Sequence, residues 1–162
     1  MIFLTAFAEE SAPPACLTLS LTWQERAYSR LQSRLSNGEE VIVMLPHGSH
    51  LYHGDRLWSD SGQVVAIEAA EESLLRVEAA QPLLLLRAAY HLGNRHTPLQ
   101  VTEQYLLLPE EKLLAEMLRQ LGCQVSAVRA PFEAERGAYA ASHHHHGSAD
   151  EDGHSAQIHE FA

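Results

Sequence analysis

SLLRVEAAQPLLLLRAAYHLG, residues 73–93, changes the rhythm of this chain and decides the reading of its second half. Leu74-Leu75-Arg76-Val77-Glu78 reads as a strand. Pro82 suits the first turn of a helix, where its missing N–H leaves no hydrogen bond unmade, and the apolar segment after it runs through Leu92 to a stop at Gly93. Downstream, Leu99-Gln100-Val101 and Tyr105-Leu106-Leu107-Leu108 are two strand candidates. A second helix is expected to carry Glu110 and Glu111 in its first turn, where carboxylates complement the helix dipole. Leu113, Leu114, Met117, Leu118 and Leu121 would form its apolar face, and Gly122 would end it. Val125 to Val128 completes the series as a last strand. The order β-α-β-β-α-β is that of the split βαβ, or ferredoxin-like, motif. Tyr90, Tyr105 and the leucine-rich helical positions read first as core.

Upstream the punctuation is that of a small, mostly β unit. Leu17-Thr18-Leu19-Ser20-Leu21 alternates with period two, as a half-buried strand does. Asn37-Gly38 is a tight-turn signal, and the run Val41 to Leu45 after it is closed by Pro46. Gly54-Asp55 and Ser61-Gly62 mark further turns before Val64-Val65-Ala66-Ile67. Past Glu135 the composition becomes Ala, Ser, Gly, His and acid, too poor in apolar side chains to offset the entropy of ordering. The expected fold class is therefore α+β. An N-terminal β domain spans 1–72, a ferredoxin-like domain spans 73–136, and a disordered His-rich tail spans 137–162.

Composition narrows the functional classes. The 162 residues are 46% hydrophobic, enough for a real core, yet 21 acids stand against 11 bases for a formal charge of −10. A nucleic-acid binder needs Lys and Arg to neutralise phosphates, so nucleic acid is excluded as the expected partner, and cations are the natural ligands of such a surface. The longest leucine run, Leu83 to Leu86, ends at Arg87, far short of the roughly 20 residues of a membrane span. MIFLTAFAEES has no basic n-region, so no secretory signal is expected. Cys16 and Cys123 form no CxxC pair. Together these features suggest a cytoplasmic protein without disulfides or membrane association, in which Cys16 has a small buried apolar role.

The histidines carry the chemistry. Six of the 11 lie in the last 20 residues, as His143, His144, His145 and His146 followed by His154 and His159. They are interleaved with Asp150, Glu151, Asp152 and Glu160. Imidazole is the usual protein ligand for Ni²⁺, Cu²⁺ and Zn²⁺, which makes this segment a candidate divalent-metal collector. A purification tag is the alternative, although a tag normally runs consecutively to an extreme end of a chain. A second group is His91, near the end of the first helix of the 73–136 region, with His96 just past its glycine stop. A histidine there is commonly a surface residue. In a two-fold dimer, however, one His96 per chain near the axis would offer two imidazoles to one metal. The third group, His47, His50 and His53, admits either a local metal site beside Asp55 or solvated turn residues. Only a turn at Gly48 could bring its three rings together. No GxSxG elbow, P-loop, GxGxxG or HExxH motif is present, and no enzymatic activity is expected.

Arg87-Ala88-Ala89-Tyr90-His91-Leu92-Gly93-Asn94-Arg95-His96-Thr97-Pro98-Leu99-Gln100 resembles the signature of the UreE family of urease accessory metallochaperones. Leu21-Thr22-Trp23-Gln24-Glu25-Arg26, Ser33-Arg34-Leu35, Leu45-Pro46 and Gly54-Asp55-Arg56-Leu57 resemble its N-terminal region. Ala130 to Glu135, with Gly137-Ala138-Tyr139, resembles its exit into a His-rich tail. The resemblance implies an N-terminal domain of peptide-binding type and a C-terminal metal-binding domain that forms homodimers. It implies that His96 from two chains binds Ni²⁺ at the interface, that His91 also binds metal in some members, and that the tail collects more. Delivery would pass through a complex with the accessory GTPase to apo-urease. Some relatives add a His-x-His pair, which Tyr105 to Lys112 lacks, so the burden moves to His96 and the tail. Where the family usually has Arg-Gly, this chain has His47-Gly48. Zn²⁺ or Cu²⁺ would fit the same nitrogen ligands. The competing class is a storage or detoxification protein that buffers nickel, zinc or copper without specific delivery.

Overall fold

The computed structural model describes residues 1–136. The expected disordered tail, with its six histidines, lies outside the described residues. Two sheets account for most of the rest.

The first sheet has the strand order β2-β6-β5-β1-β4-β3. Its members are β1 (Ile2–Phe7), β2 (Leu17–Leu21), β3 (Arg30–Arg34), β4 (Glu40–Met44), β5 (Arg56–Ser59) and β6 (Val64–Ala69), with a single-turn helix α1 (Trp23–Arg26) between β2 and β3. β1 pairs parallel with β4, and β2 parallel with β6; the other neighbours are antiparallel. Alternation explains the core: Leu19 and Leu21, Val41 and Val43, and Val65 and Ile67 each turn inward two residues apart and are buried together with Leu4 and Leu57. The segment after β3 comes back to β2, where Ser36 N–H donates to Thr18 O at 2.9 Å. The alternating Leu17–Leu21 segment is a strand, as its periodicity predicts, whereas β1, β3 and β5 carry weaker alternation. Cys16 corrects one expectation. It is exposed, and Cys123 is the buried thiol.

The second sheet has the order β10-β7-β9-β8, with every neighbouring pair antiparallel. Its strands are β7 (Glu71–Glu78), β8 (Gln100–Val101), β9 (Tyr105–Pro109) and β10 (Gln124–Pro131), and its helices are α2 (Pro82–Gly93) and α3 (Lys112–Gln120). This is the βαββαβ arrangement expected from the sequence. Leu75, Val77, Leu106 and Leu108 face the helices and bury Ala88, Leu92, Leu114 and Leu118. Leu74 and Leu107, one position out of phase, point to the opposite face.

Three details depart from the expectation. α3 begins at Lys112, so Glu110 and Glu111 precede its first turn, and Glu111 stands at the N-cap without a side-chain bond. Leu113 is 72% exposed rather than core, because burial follows Leu114, Ala115 and Leu118. On α2 only Ala88 and Leu92 are fully buried, while Leu83, Leu86 and Tyr90 stay exposed at 58%, 67% and 67%. At spacings of three and four they lie on one helix face, so an apolar stripe is left uncovered by this chain. No helix among the described residues is long and apolar enough to cross a membrane.

Candidate metal centre

The end of α2 builds the candidate site. Thr97 N–H returns to Leu92 O at 3.3 Å and His96 N–H to Gly93 O at 2.9 Å. This reciprocal pair is the Schellman closure, and it forces the residue between into the left-handed region. That residue is His96, at φ +54°, the one non-glycine with positive φ among the described residues. Glycine is the usual occupant because it has no Cβ to crowd the carbonyl, and an L-residue there costs on the order of 1 kcal/mol. The chain keeps an imidazole where a glycine would relax the backbone. The side chain is exposed.

His91 lies five residues earlier, in the last turn of α2, also exposed, with its ring edge-on to Tyr90 at 5.6 Å. It lines a shallow cleft with Arg95, Met117, Gln120 and Leu121, a cleft to which His96 does not contribute. Among the described residues no three His, Cys, Asp or Glu side chains are grouped so that they could hold a metal ion. His143, His144, His145, His146, His154 and His159 lie outside the described residues.

The His47, His50 and His53 group does not assemble. Gly48 does turn the chain, at φ +84°. Yet His53 Nδ1 accepts from Ala69 N–H at 3.2 Å, and the His50 ring lies between Trp23 and Tyr52 with centroids 4.6 and 4.7 Å away. His47 remains on the exposed turn. Burial pulls the His50 pKa below its ordinary 6.5; the Arg26 charge adds to this, and Glu133 and Asp55 oppose it. A base whose folded pKa is depressed resists a proton that the unfolded chain accepts. Its contribution is therefore intact above about pH 6.5 and is lost as the pH falls below it. Thermal melts from pH 7.5 to 5 should show a smaller loss of stability for His50→Phe than for the parent. Equal loss would mean that His50 does not govern this pH range.

The structure adds a pair that sequence pattern does not reveal, Arg26 and Glu133. Thr22-Trp23-Gln24-Glu25 is a capping box: Thr22 Oγ1 accepts from Glu25 N–H at 3.3 Å, and Glu25 Oε2 accepts from Thr22 N–H at 2.8 Å. That motif fixes α1 and sets Arg26 at its last position. The guanidinium is fully buried, pairs through Nη1 with Glu133 Oε2 at 2.6 Å, and donates through Nη2 to Phe132 O. Phe132 packs with Leu74, Leu107 and Trp23 on the open face of the second sheet. Glu135 N–H then donates to Leu99 O at 2.8 Å, three residues after His96. The T-x-x-E pattern could have located Arg26. Nothing local could have named a partner 107 positions away.

Comparison with known proteins matches both halves of the chain. The description "UreE urease accessory protein, N-terminal domain" matches residues 5–70, and its C-terminal counterpart matches residues 72–160. The chain is 52% identical over 128 residues to a urease accessory protein UreE of Burkholderia lata, covering 79% of this chain and 62% of that protein. It is 46% identical over 145 residues to that of Nitrosospira multiformis, covering 90% and 82%. With that of Nitrosococcus oceani it shares 41% over 154 residues, covering 93% and 92%. It thus spans less than two thirds of the Burkholderia relative and nearly all of the Nitrosococcus one. Matched in both halves and along nearly its whole length, the chain belongs to the UreE urease accessory protein family.

Proposed function

We propose that this protein serves urease maturation by binding Ni²⁺ as cargo and delivering it, with the accessory GTPase, to apo-urease. His96 from each of two chains forms the tight site in a homodimer. His91 stands by as a weaker ligand, and the histidines from His143 to His159 add ligands to the metal held at His96 and collect further metal. The observation that carries this reading is the His96 turn. An exposed imidazole is kept at a backbone position that favours glycine, and family membership fits a metal task for it.

Two further features support it. The uncovered stripe Leu83, Leu86 and Tyr90 lies on the helix that ends in the His96 turn, as expected of a surface that meets its own copy. The described part of one chain groups no three ligands, which suits a cargo site that must release its metal more than a closed structural cage. The N-terminal sheet is read as the partner-binding unit. No catalytic step is assigned to any residue. Storage or detoxification by the histidine-rich segment is the competing reading, since that segment alone could buffer metal.

A calorimetric Ni²⁺ titration separates the two. The sample is the full-length chain with His143, His144, His145, His146, His154 and His159 all replaced by alanine. The expected result is one tight Ni²⁺ per two chains. Absence of tight binding would transfer the metal site to the replaced histidines and favour storage.

A further inference from the structure

The path of residues 132–136 is longer than it needs to be. β10 and β8 lie at opposite edges of the second sheet. After Pro131 the backbone does not continue from the β10 edge. It crosses the face that the helices leave open, burying Phe132 and Ala134 against Leu74 and Leu107, and arrives beside β8. Glu133 N–H donates to Gln100 Oε1 at 2.9 Å, and Glu135 N–H to Leu99 O. Three interstrand spacings separate the two edges, about 14 Å. The crossing therefore moves the origin of the histidine-rich segment from the far edge of the sheet to the neighbourhood of His96. His143 follows Glu135 by eight residues, a contour of at most about 28 Å.

Ordering such a strap costs conformational entropy at every residue, so something must hold it. Glu133 is the residue with contacts on both sides. Its Oε2 accepts from Arg26 Nη1 at 2.6 Å and from His53 N–H at 3.2 Å, both in the first unit, while its own N–H reaches Gln100 in the second. Arg136 closes the strap by lying 3.6 Å over the Tyr52 ring. The geometry points to Glu133 as a positioning residue for metal handling: clamped by Arg26, it sets the origin of the histidine-rich segment beside the His96 turn. This rests on the proposed reading that those histidines and His96 serve the same metal. Releasing the strap lowers the local concentration of the histidines around His96 without removing any ligand.

The test is a two-by-two comparison in the full-length chain, with Ni²⁺ alone as the probe. Glu133→Gln keeps the backbone N–H and the side-chain shape but removes the charge. It is made both in the parent and in the chain whose six last histidines are alanine. With those histidines present, Glu133→Gln should weaken the tight Ni²⁺ site about threefold or more. With them replaced, it should change nothing. Amide exchange at Glu135 should also accelerate as its bond to Leu99 opens more often. Weakening of equal size in both backgrounds would overturn the proposal, since Glu133 would then act on the His96 turn itself. No weakening in the parent, or unchanged exchange at Glu135, would overturn it as well. The underlying reading fails separately, if alanine at the six histidines leaves the Ni²⁺ affinity of the otherwise unmodified chain unchanged. Gln100→Ala is the second variant should Glu133→Gln fail to fold. It removes the acceptor of Glu133 N–H from the sheet edge, leaves the buried Arg26 paired, and carries the same expectation.

Discussion

His96→Gly should abolish tight Ni²⁺ binding and make the folded protein more stable. The two effects have separate causes. Under the proposed function, loss of the imidazole removes the ligand offered by each chain to the shared site, and a fall in affinity of at least about a hundredfold is expected, since even the outer partners of metal ligands are worth about 10–100-fold. The gain comes from the backbone. His96 sits at φ +54° inside a Schellman closure, and removal of its Cβ relieves about 1 kcal/mol. For a chain of this size that is a rise in melting temperature of about 3 °C without metal. His96→Ala is the control: it loses the ligand but keeps the Cβ, so affinity falls with no gain in stability. Metal-free melts and Ni²⁺ titrations of the two variants at one protein concentration make the comparison. A lower melting temperature for His96→Gly would mean that the imidazole supports the fold, and the loss of metal could not then be read as loss of a ligand.

Arg26→Ala should be the most destabilising single change on the interface between the two sheets. The side chain is fully buried, its ion pair with Glu133 spans 2.6 Å, and its second nitrogen satisfies Phe132 O. The guanidinium also lies 5.3 Å from the Trp23 ring. Truncation removes all of this at once and leaves a carbonyl unpaired, for a loss of about 3 kcal/mol. The estimate sits at the low end of the range for broken buried pairs, because the Glu133 side chain is 35% exposed and its Oε2 keeps the His53 N–H at 3.2 Å. Urea midpoints would read it, with Arg26→Met expected to recover the packing part but not the charge part. A loss below about 1 kcal/mol would show that Trp23, Phe132 and Leu74 hold the interface without the ion pair.

Much of the second unit was legible because its signals are local. Pro82 and Gly93 bracket α2, Leu74 to Glu78 falls within β7, and the order of elements matched the observed sheet. The candidate ligand His96 was legible too, as a histidine just past a helix stop. Its backbone strain was not, since that depends on two hydrogen bonds that close over it. Tyr90 and Leu86 were misplaced in the core for a related reason. Periodicity shows that a helix has an apolar stripe, but the width of the stripe covered by its own chain is set by how α2 lies on the sheet. Glu110 and Glu111 fell outside α3 because helix ends are decided by where Pro109 leaves β9 and not by charge preference alone.

From the sequence came the element types, the βαββαβ order, the −10 charge that turns the molecule toward cations, and the concentration of histidine at one end. These are properties of composition and of spacings shorter than about two turns of helix, where covalent geometry and side-chain periodicity leave few choices. Only the tertiary structure decided that His50 packs among aromatics instead of joining His47 and His53. It alone placed Arg26 on Glu133, and carried residues 132–136 across the sheet to Leu99. Those contacts link residues up to 107 positions apart. Burial and hydrogen-bond completion select such pairs, and both are satisfied only after the two sheets have come together.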